Sequence, residues 1–426
     1  MNALCGDTYV FAEVDGKYVV YTLRELYELH KQGHAIKVPA LLDERGNIGW
    51  VEVEDVVSFG EQPLKRITLA TPRLYTELTE DAIIPAFGSR LFSGRKEQIN
   101  LKLKHVNKLK ATQNPAYNNT LLLLTHIPLL ITEGDEKEWD FGFALGFFLA
   151  EGSFGYRKRK NTKQSLAILN WYAKKKGMTL EEYLEYMTDI QRVYLAVGRT
   201  DFERGYVDVV KKHFKFAKPH KVSENGYQLY SYDLSLIRLI KNYTKGHDSR
   251  TKRLKNEIYN RSWKFLEGVL DGFLSGDGNF RKNEDLFAVR ITTNYRLYND
   301  LIFLSKALGY DVHMQNGEFQ KSPSSNNYYY VLRLSIFKNW HRHVASGLVK
   351  EHIKSIEDAG VKEAFNLVLK PLYTDNDNRA KFNSLYFTAY GFLVSDAVKT
   401  FCQTAPAKTQ KFVEAKKTIF LSNVFT

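Results

Sequence analysis

The stretch FGFALGFFLAEGSF, residues 141–154, is apolar until it reaches Glu151, which is followed directly by a glycine. A second stretch, LEGVLDGFLSGDGNF at 266–280, repeats the pattern with Asp277 in the place of the acid. Each apolar run has the length and composition of a buried helix. The fold therefore has to accommodate a carboxylate at the end of two buried helices.

The two stretches belong to an internal duplication. Aligning Glu151 with Asp277 gives a period of 126 residues (277 minus 151). The same alignment matches Gly146 with Gly272, Phe147 with Phe273, Gly152 with Gly278 and Phe154 with Phe280. A repeat of this kind predicts two related subdomains about a pseudo-twofold axis.

Glycines inside the two apolar runs predict how the helices meet. Gly142 and Gly146 are four residues apart, as are Gly268 and Gly272. Small residues at this spacing lie on one helix face and allow two helices to approach closely. If the helices pack on each other at the pseudo-twofold axis, the acids at their ends converge.

Two converging carboxylates favour a cation between them. Glu151 and Asp277 would repel each other and would also meet the negative ends of two helix dipoles. A hard divalent cation bound by oxygen removes this cost, and Mg²⁺ is the expected ion, for which Mn²⁺ can substitute. The chain has only two cysteines, Cys5 and Cys402, which excludes a disulfide framework or a cysteine-rich zinc site.

Composition predicts a polyanionic partner. The 426 residues carry 61 Lys and Arg against 48 Asp and Glu, a net charge of +13. This balance, with a pI near 9.3, favours nucleic acid or an anionic surface. No apolar run approaches the length of a membrane span, and the N-terminus lacks the pattern of a signal peptide. We therefore expect an intracellular protein of the cytoplasm, nucleoid or nucleus, monomeric and not bound to membranes.

The chain divides by composition into four parts. Residues 1–131 are β-rich, with a hairpin around Asp15-Gly16, a helix over 22–33, short strands at 48–59 and 64–78, and a basic segment at 88–127 that is a candidate DNA-binding insertion. The two repeats then occupy 132–255 and 256–372, each with strands after its apolar helix, and 373–426 completes the chain. The expected class is a multidomain α+β protein.

ALGFFLAEG at 144–152 and LDGFLSGDG at 270–278 resemble the motif of the LAGLIDADG homing endonucleases. The resemblance covers about 135–370 and implies two αββαββα halves whose motif helices form the interface between them. It also implies metal-dependent cutting of both strands of a long DNA site. Carried over by position, Glu151 and Asp277 become metal ligands, together with the backbone carbonyls of Ala150 and Gly276.

The resemblance implies a catalytic lysine in each half. In TKRLKNEIYN (251–260) the candidate is Lys252, with its neighbour Arg253 as the alternative. In GLVKEHIKSI (347–356) the candidate is Lys354, with Lys350 as the alternative. Each of these side chains is, on the sequence alone, equally well interpreted as a solvated surface charge.

Strands after the motif helices are expected to read double-stranded DNA in the major groove. A basic cluster opens the strand region of each half, and such clusters neutralise phosphates without specifying a sequence. The expected phosphate contacts are Arg157, Lys158, Arg159 and Lys160 in the first half and Arg281 and Lys282 in the second.

The flanking parts resemble the protein-splicing (Hint) domain of inteins, which implies a mostly β, horseshoe-shaped domain made from both chain ends and host exteins on either side. CGDTYVFAEVDGKYVVYTLREL begins with Cys5, which would be the splicing nucleophile. LTEDAIIPAF (78–87) resembles the second intein block, where Thr79 and Asp81 fit, but Ala82 stands where a histidine is expected.

The chain end resembles the last intein block. In KKTIFLSNVFT (416–426), Asn423 would cyclise, but Val424 cannot accept the acyl chain that a Cys, Ser or Thr would take. A competing match has Ser395 and Asp396 in place of the usual His and Asn. Because Ala82 and Val424 each remove a required group, we expect a splicing-defective form.

The sequence thus favours a site-specific homing endonuclease embedded in an intein. One alternative is a DNA- or RNA-binding, maturase-like protein that has lost cleavage, and the two retained acids argue against it. Another is a chain that chiefly splices itself and carries the nuclease as a passenger, against which the missing histidine and the valine weigh.

Overall fold

The computed structural model of the protein describes residues 3–42, 47–69, 75–93, 96–109, 111, 120–124, 127–156, 166–175, 177, 179–180, 190–216, 219–249, 251–281, 286–292, 294–321, 328–337, 343–345, 348–370, 386–389 and 392–395. Within them the chain forms two compact units. The first comprises Met1–Leu130, Gly309–Gln315 and Phe337–Thr426, and the second comprises Ile131–Leu308 and Asn316–Ile336.

Most of the described helices lie in the middle of the chain, where they alternate with strands. The described α-helices are α1 Leu23–Lys31, α2 Glu136–Glu151, α3 Leu166–Lys175, α4 Arg199–Glu203, α5 Tyr206–His213, α6 Leu234–Tyr243, α7 Trp263–Asp277 and α8 Tyr295–Ala307. The strands are β1 Leu4–Cys5, β2 Tyr9–Val14, β3 Lys17–Thr22, β4 Ile36–Leu41, β5 Ile48–Leu69, β6 Tyr75–Thr79, β7 Ile83–Ser93, β8 Lys96–His105, β9 Thr120–Leu124, β10 Gly152–Tyr156, β11 Ile190–Gly198, β12 His220–Lys221, β13 Gly226–Ser231, β14 Thr244–Lys245, β15 Arg253–Leu254, β16 Gly278–Arg281, β17 Leu286–Thr292, β18 Asp311–Lys321, β19 Tyr328–Phe337, β20 His343–Ala345, β21 Leu348–Leu369, β22 Tyr386–Ala389 and β23 Phe392–Ser395.

The first unit is built on a large antiparallel sheet. Its order is β20-β21-β1-β6-β5-β4-β22-β23-β9-β7-β8, and β2 and β3 join it as a hairpin through β4. The hairpin predicted around Asp15-Gly16 is confirmed, because these two residues have φ of 49° and 78° and connect β2 to β3. The predicted helix is confirmed as α1, which begins at a capping box between Thr22 and Glu25.

A pair of long strands replaces the short strands expected in the first unit. The strands predicted at 48–59 and 64–78 lie in β5, which runs from Ile48 to Leu69, and in β6, but the turn expected between them is wrong because β5 continues through it. It pairs antiparallel with β21, from Val53 opposite Leu369 to Leu69 opposite Ile353. The ladder shifts register at several positions, one of them beside Gly60 with φ of 68°, so a local irregularity replaces the expected turn.

The C-terminal boundary of the second repeat differs from the sequence-based one. Residues 256–372 were expected to form one half of the nuclease, but β21 pairs with β5 and β1 of the first unit. The described part of the basic segment 88–127 contains the hairpin of β7 and β8 and the strand β9, which also lie in the large sheet.

The second unit combines the seven described helices α2 to α8 with two four-stranded sheets and the short ladder of β14 and β15. The sheet orders are β10-β11-β13-β12 and β16-β17-β19-β18, so that each sheet follows the same pattern of connections. Residues 311–315 and Phe337, at strand ends of the second sheet, group with the first unit. Among the described residues, no helix is both long and apolar enough to cross a membrane.

Candidate active site

The site is built on the two apolar helices, α2 and α7, and each begins at a defined cap. Asp135 caps α2 by accepting a hydrogen bond from the backbone nitrogen of Glu138 at 2.9 Å. Ser262 caps α7 by accepting one from the backbone nitrogen of Phe265 at 3.2 Å. Each cap satisfies an amide that the first helical turn leaves without an intrahelical partner.

Glycines hold α2 and α7 in backbone contact, as their spacing predicts. A Cβ atom on Gly142 would lie 2.1 Å from the carbonyl oxygen of Phe265, and one on Gly146 would lie 1.9 Å from that of Val269. The relation is reciprocal, since a Cβ on Gly268 or Gly272 would lie 2.2 or 2.1 Å from the carbonyl oxygens of Trp139 and Phe143. Only glycine permits this approach of the two backbones.

The close approach brings the ends of the two helices together. Glu151 is the last residue of α2 and Asp277 the last of α7. A Cβ on Gly276 would lie 2.6 Å from the Cβ of Ala150 and 3.3 Å from Oε1 of Glu151. The two acids named from the sequence therefore lie beside each other at one end of the helix pair.

The surroundings of the two acids favour their protonated forms. Burial, followed by the charges of Asp277 and Asp201, raises the pKa of Glu151 to about 7, against an opposing effect of Lys252. Burial also raises the pKa of Asp277, again opposed by Lys252. Asp277 is more exposed than the half-buried Glu151, so we assign the larger rise in pKa to Glu151.

The glycine after each acid has a steric role. Gly152 and Gly278 have φ of −91° and −93°, which any residue adopts. Their Cβ atoms, however, would lie 2.5 and 2.2 Å from the carbonyl oxygens of Phe148 and Leu274 in the last helical turn. Glycine therefore allows each helix to pass directly into β10 or β16 just after the acid.

Lys252 reaches the acidic end of α2 from the loop between β14 and β15. Its side chain is buried, with 1% of the residue exposed. Its Nζ donates to the carbonyl oxygens of Phe148 at 3.2 Å, Ala150 at 3.4 Å and Gly152 at 2.5 Å. Burial lowers the pKa of Lys252 to about 8, against the opposing charges of Asp277, Glu151 and Asp248.

The other residues that the sequence suggests for a catalytic lysine position are Lys354 and the two alternatives, Arg253 and Lys350. Arg253, the neighbour that the sequence left open, contacts Asp300 through Nη2 at 3.4 Å. Lys354 lies exposed on β21, in the first unit rather than in the unit that carries the two acids. Its catalytic role, and that of Lys350 on the same strand, stay predictions.

A polar sheet face in the first repeat was not identified from the sequence. Along β11, Val193, Leu195 and Val197 are buried, whereas Arg192 and Tyr194 on the alternate face are only half-buried. The guanidinium of Arg192 lies over the ring of Tyr194 at 4.3 Å.

Neighbouring strands extend this face across the sheet. Tyr194 pairs in register with Ser153 of β10 and Tyr230 of β13, and Ala196 pairs with Gln228. We call Ser153, Arg192, Tyr194, Gln228 and Tyr230 the polar face. The period of two in Arg-Val-Tyr-Leu-Ala-Val is the sequence signal that predicts it.

Five of the six expected phosphate contacts lie outside the described residues: Arg157, Lys158, Arg159, Lys160 and Lys282. Arg281 is the last residue of β16. Their role in binding DNA stays a prediction.

In the first unit, two of the residues expected to take part in splicing, Cys5 and Thr79, lie on the paired strands β1 and β6. Thr79 contacts Ala3: its Oγ1 accepts from the backbone nitrogen of Ala3 at 3.3 Å, and its own nitrogen donates to the carbonyl of Ala3 at 3.0 Å. Ala82 is fully buried and closes a turn on Thr79 through a backbone hydrogen bond of 3.0 Å. Asp81 is exposed in the same turn.

Cys5 itself is packed in the sheet. It pairs in register with Ala364 of β21 and lies in an apolar cluster with Ala3 and Leu64. Burial raises the pKa of its thiol to about 11, which disfavours the nucleophilic thiolate. Asn423 and the competing Asp396 lie outside the described residues, and Ser395 is the last residue of β23.

Comparison with known proteins gives similarities of limited extent. No family model matches the chain. Among curated proteins, it is 24% identical over 243 residues to the DNA-directed RNA polymerase subunit Rpo1C of Methanocaldococcus jannaschii, a match that covers 54% of this chain and 24% of that protein. The chain therefore spans about a quarter of the length of the curated relative it matches.

Solved structures similar to this chain are of two kinds. A mutant of an Ssp DnaB mini-intein variant is 9% identical, covering 93% of this chain and all of the other (TM-score 0.28), and the Pab PolII intein is 23% identical, covering 31% and 70% (TM-score 0.22). I-DmoI in complex with DNA and Ca is 11% identical, covering 48% and 85% (TM-score 0.28). Similarities of this size do not by themselves establish a shared fold. The chain is thus similar to inteins and to homing endonucleases, the two kinds of protein that its sequence motifs resemble.

Proposed function

We propose that the chain is a site-specific DNA endonuclease that hydrolyses phosphodiester bonds with a divalent metal ion, carried within a splicing-type domain. The observation that carries the proposal is the pair of acids at the ends of α2 and α7. Glycine contacts between two backbones force Glu151 and Asp277 together, although their mutual repulsion and burial oppose it. Because the fold keeps this unfavourable pair of buried carboxylates at two repeated positions, we expect the pair to have a function.

The donor set fits a hard divalent cation. Glu151 and Asp277 supply two carboxylates, and the carbonyls of Ala150 and Gly276 lie at the same helix ends, although that of Ala150 also accepts from Lys252 Nζ at 3.4 Å. Among the residues that the structure describes, no group of three or more His, Cys, Asp and Glu side chains is arranged to hold a metal. A two-carboxylate set suits Mg²⁺, which keeps several waters and shares its remaining positions with phosphate oxygens. Mn²⁺ has similar requirements and is expected to substitute.

The residues of the chain then have separate tasks. When bound, such a cation supplies positive charge at the leaving oxygen and a more acidic water. Glu151 and Asp277 hold it where the two helices end. Lys252 presents its Nζ beside the same helix end, and a pKa of about 8 allows that atom to exchange a proton near neutral pH.

DNA recognition is assigned to the polar face of the first repeat and to its counterpart in the second. The polar face offers a guanidinium, phenol hydroxyls, an amide and a hydroxyl, which are groups that hydrogen-bond to base edges. The equal connection order of the two sheets supports two halves related by a pseudo-twofold axis, each reading one half of a long site. The net charge of +13 supports phosphate binding by the chain.

The splicing-type domain is proposed to be defective. Thr79 lies against the backbone of Ala3, a residue with no nucleophilic side chain, and Ala82 provides no imidazole. Acyl transfer needs a side-chain nucleophile and a proton donor for the departing amide. Because both are missing at this place, the nuclease is the activity that we expect to persist, in a chain that functions as a monomer.

Cleavage of a randomised plasmid library tests the proposal. Supercoiled plasmids that carry random inserts are incubated with the full chain and Mg²⁺, and the cut ends are captured and sequenced. We expect double-strand breaks at one preferred long site, lost in EDTA and restored by Mn²⁺. Binding of the plasmid library without any cut or nick in either metal would overturn the nuclease and favour a binding protein of maturase type.

A further inference from the structure

The side chain and the backbone of Lys252 are held by different parts of the second unit. Its ammonium donates to carbonyl oxygens at the end of α2, which belongs to the first repeat. Its backbone contacts a side chain at the start of α8, which belongs to the second repeat. The loop that carries Lys252 therefore connects the acidic end of one repeat to a helix of the other.

Asn294 forms the contact on the α8 side. Its Nδ2 donates to the carbonyl oxygens of Lys252 at 2.5 Å and of Ser249 at 3.1 Å. Its Oδ1 accepts from the backbone nitrogen of Leu297 at 3.1 Å and so caps α8. Asn294 is 3% exposed, so the loss of either contact would leave a buried polar group without compensation from water.

Asp300 holds the same loop at a second point. It lies on α8, and its Oδ2 accepts from the backbone nitrogen of Leu254 at 2.7 Å while its Oδ1 lies 3.4 Å from Nη2 of Arg253. Asp300 is 5% exposed. Residues on both sides of Lys252 are thus fastened to one helix.

The side chain at position 294 caps α8 and also binds the Lys252 loop, and substitutions can separate these two functions. Serine or aspartate would cap α8 as well as asparagine does, because capping requires only an oxygen acceptor. Ionised aspartate has no donor, and serine has one hydroxyl proton on a shorter side chain in place of the two N–H groups that serve the carbonyls of Ser249 and Lys252. The amide of Asn294 therefore meets a requirement of the Lys252 loop that the helix alone does not impose.

We propose that Asn294, supported by Asp300, is a positioning residue that holds Lys252 against the carbonyl oxygens at the acidic end of α2. The proposal rests on the nuclease function proposed above and assigns the second repeat a part in the lysine site of the first. A lysine side chain has four rotatable carbon bonds, so the direction of its Nζ depends on where its backbone is fixed. Displacement of that backbone by about 1 Å is enough to lower a reaction rate a hundredfold.

The central variant is Asn294→Ser in the full chain, which keeps the cap and removes the two amide N–H donors. On the preferred DNA site, its single-turnover cleavage rate is expected to fall about ten- to a hundredfold. DNA affinity should change less than about threefold, because the phosphate contacts are elsewhere. Asp233→Ser is the matched control, since Asp233 caps α6 in the same manner and accepts from Ser235 rather than contacting Lys252.

A double-mutant cycle with Lys252→Met distinguishes positioning from a general effect on the fold. If Asn294 acts through Lys252, Asn294→Ser causes no further loss of cleavage in the Lys252→Met background. An equal loss in both backgrounds would overturn the proposal, as would a wild-type cleavage rate for Asn294→Ser. Asn294→Asp provides a second cap-preserving variant if the serine variant does not fold.

Chemical labelling tests the same contact without DNA. Lys252 is buried and the exposed Lys354 serves as the internal reference, so mass spectrometry after brief treatment with an amine-reactive ester should find Lys252 protected in the wild-type protein. Asn294→Ser should increase its labelling several-fold, whereas Asp233→Ser should not. Unchanged protection would overturn the positioning role even if the wild-type chain cut no DNA, an outcome that would separately refute the nuclease.

Discussion

Gly146 packs so closely on Val269 that a Cβ atom at position 146 would lie 1.9 Å from the carbonyl oxygen of Val269. The contact is between two backbones and has no flexible side chain that could move aside. The distance between α2 and α7, and with it the approach of Glu151 to Asp277, therefore depends on this glycine and its three equivalents.

Gly146→Ala is expected to lower the free energy of unfolding by about 1–3 kcal/mol or more, because overpacking forces the helices apart. Cleavage should fall as well, since the acids at the helix ends separate. Urea unfolding measures the first effect, and Gly198→Ala is the control, because its Cβ would lie no closer than 3.5 Å to any neighbour. Equal stability of the two variants would contradict the backbone contact.

Glu151→Gln and Asp277→Asn should each lower double-strand cutting by at least about a hundredfold while DNA binding persists. Each change removes one ligand charge and leaves the size of the side chain almost unchanged. Cleavage and mobility-shift assays on the preferred site measure the two properties. Asp271→Asn is the matched control on α7: its carboxylate accepts from Trp139 Nε1 at 3.2 Å, a contact that an amide oxygen preserves. Wild-type cutting by either site variant in Mg²⁺ would refute the assignment.

Stability should depend on pH through Glu151. Its pKa of about 7 lies above the usual 4.5, so the folded state holds the proton more strongly, and ionisation costs stability progressively as pH rises from about 4.5 through 7. In EDTA, Glu151→Gln should therefore be more stable than the wild type at pH 8, by about 1–3 kcal/mol, with the gain absent at pH 4.

Denaturation at the two pH values measures this difference. Mg²⁺ should raise the melting temperature of the wild type at pH 8 and leave that of Glu151→Gln nearly unchanged, because binding to the folded state stabilises it. A gain in stability that is the same at pH 4 and pH 8 would show that the carboxylate is not held in a costly environment.

The polar face predicts a change in specificity. Arg192→Ala should weaken binding of the preferred site by about 1–3 kcal/mol and relax the base preference at one or two positions of one half-site. Selection from a randomised half-site library measures the preference. Arg238→Ala, an exposed arginine on α6, controls for the loss of charge. An unchanged preference would remove Arg192 from base reading.

Restoring the splicing chemistry should require a nucleophilic side chain at position 3. With a reporter fused upstream, Ala3→Cys combined with Ala82→His should make the reporter releasable by dithiothreitol. The new thiol attacks the carbonyl carbon of residue 2, the bond to the nitrogen of residue 3 breaks as that nitrogen takes a proton, and dithiothreitol then displaces the thioester. Mass spectrometry of the released fragment locates the cut.

The alternative to a nucleophile at position 3 is Cys5, the nucleophile expected from the sequence. Ala82→His combined with Val424→Thr, with Cys5 as the only N-terminal thiol, should stay intact, because Thr79 contacts Ala3 and the thiol of Cys5 is buried. Release of a fragment that ends at Leu4 would reverse this assignment.

Local and repeated features of this protein follow from its sequence. The period of 126 residues, the acids at 151 and 277 and the paired glycines predict two close-packed helices with converging carboxylates. The Asp15-Gly16 pair predicts its hairpin. These features depend on helix periodicity, turn conformation and steric size, which are properties of residues near one another in the chain.

Contacts between distant residues were decided only by the tertiary structure. Pairing of β5 with β21 joins segments about 300 residues apart and assigns 348–369 to the first unit, which no local pattern indicates. Lys252 and Arg253 are adjacent and similar in charge, and only their partners, the end of α2 and Asp300, distinguish them. Asn294 and Ala3 likewise gain importance from what they contact. The physical reason is that a long-range contact depends on the closure of many residues of intervening chain, and its geometry is absent from the sequence on either side.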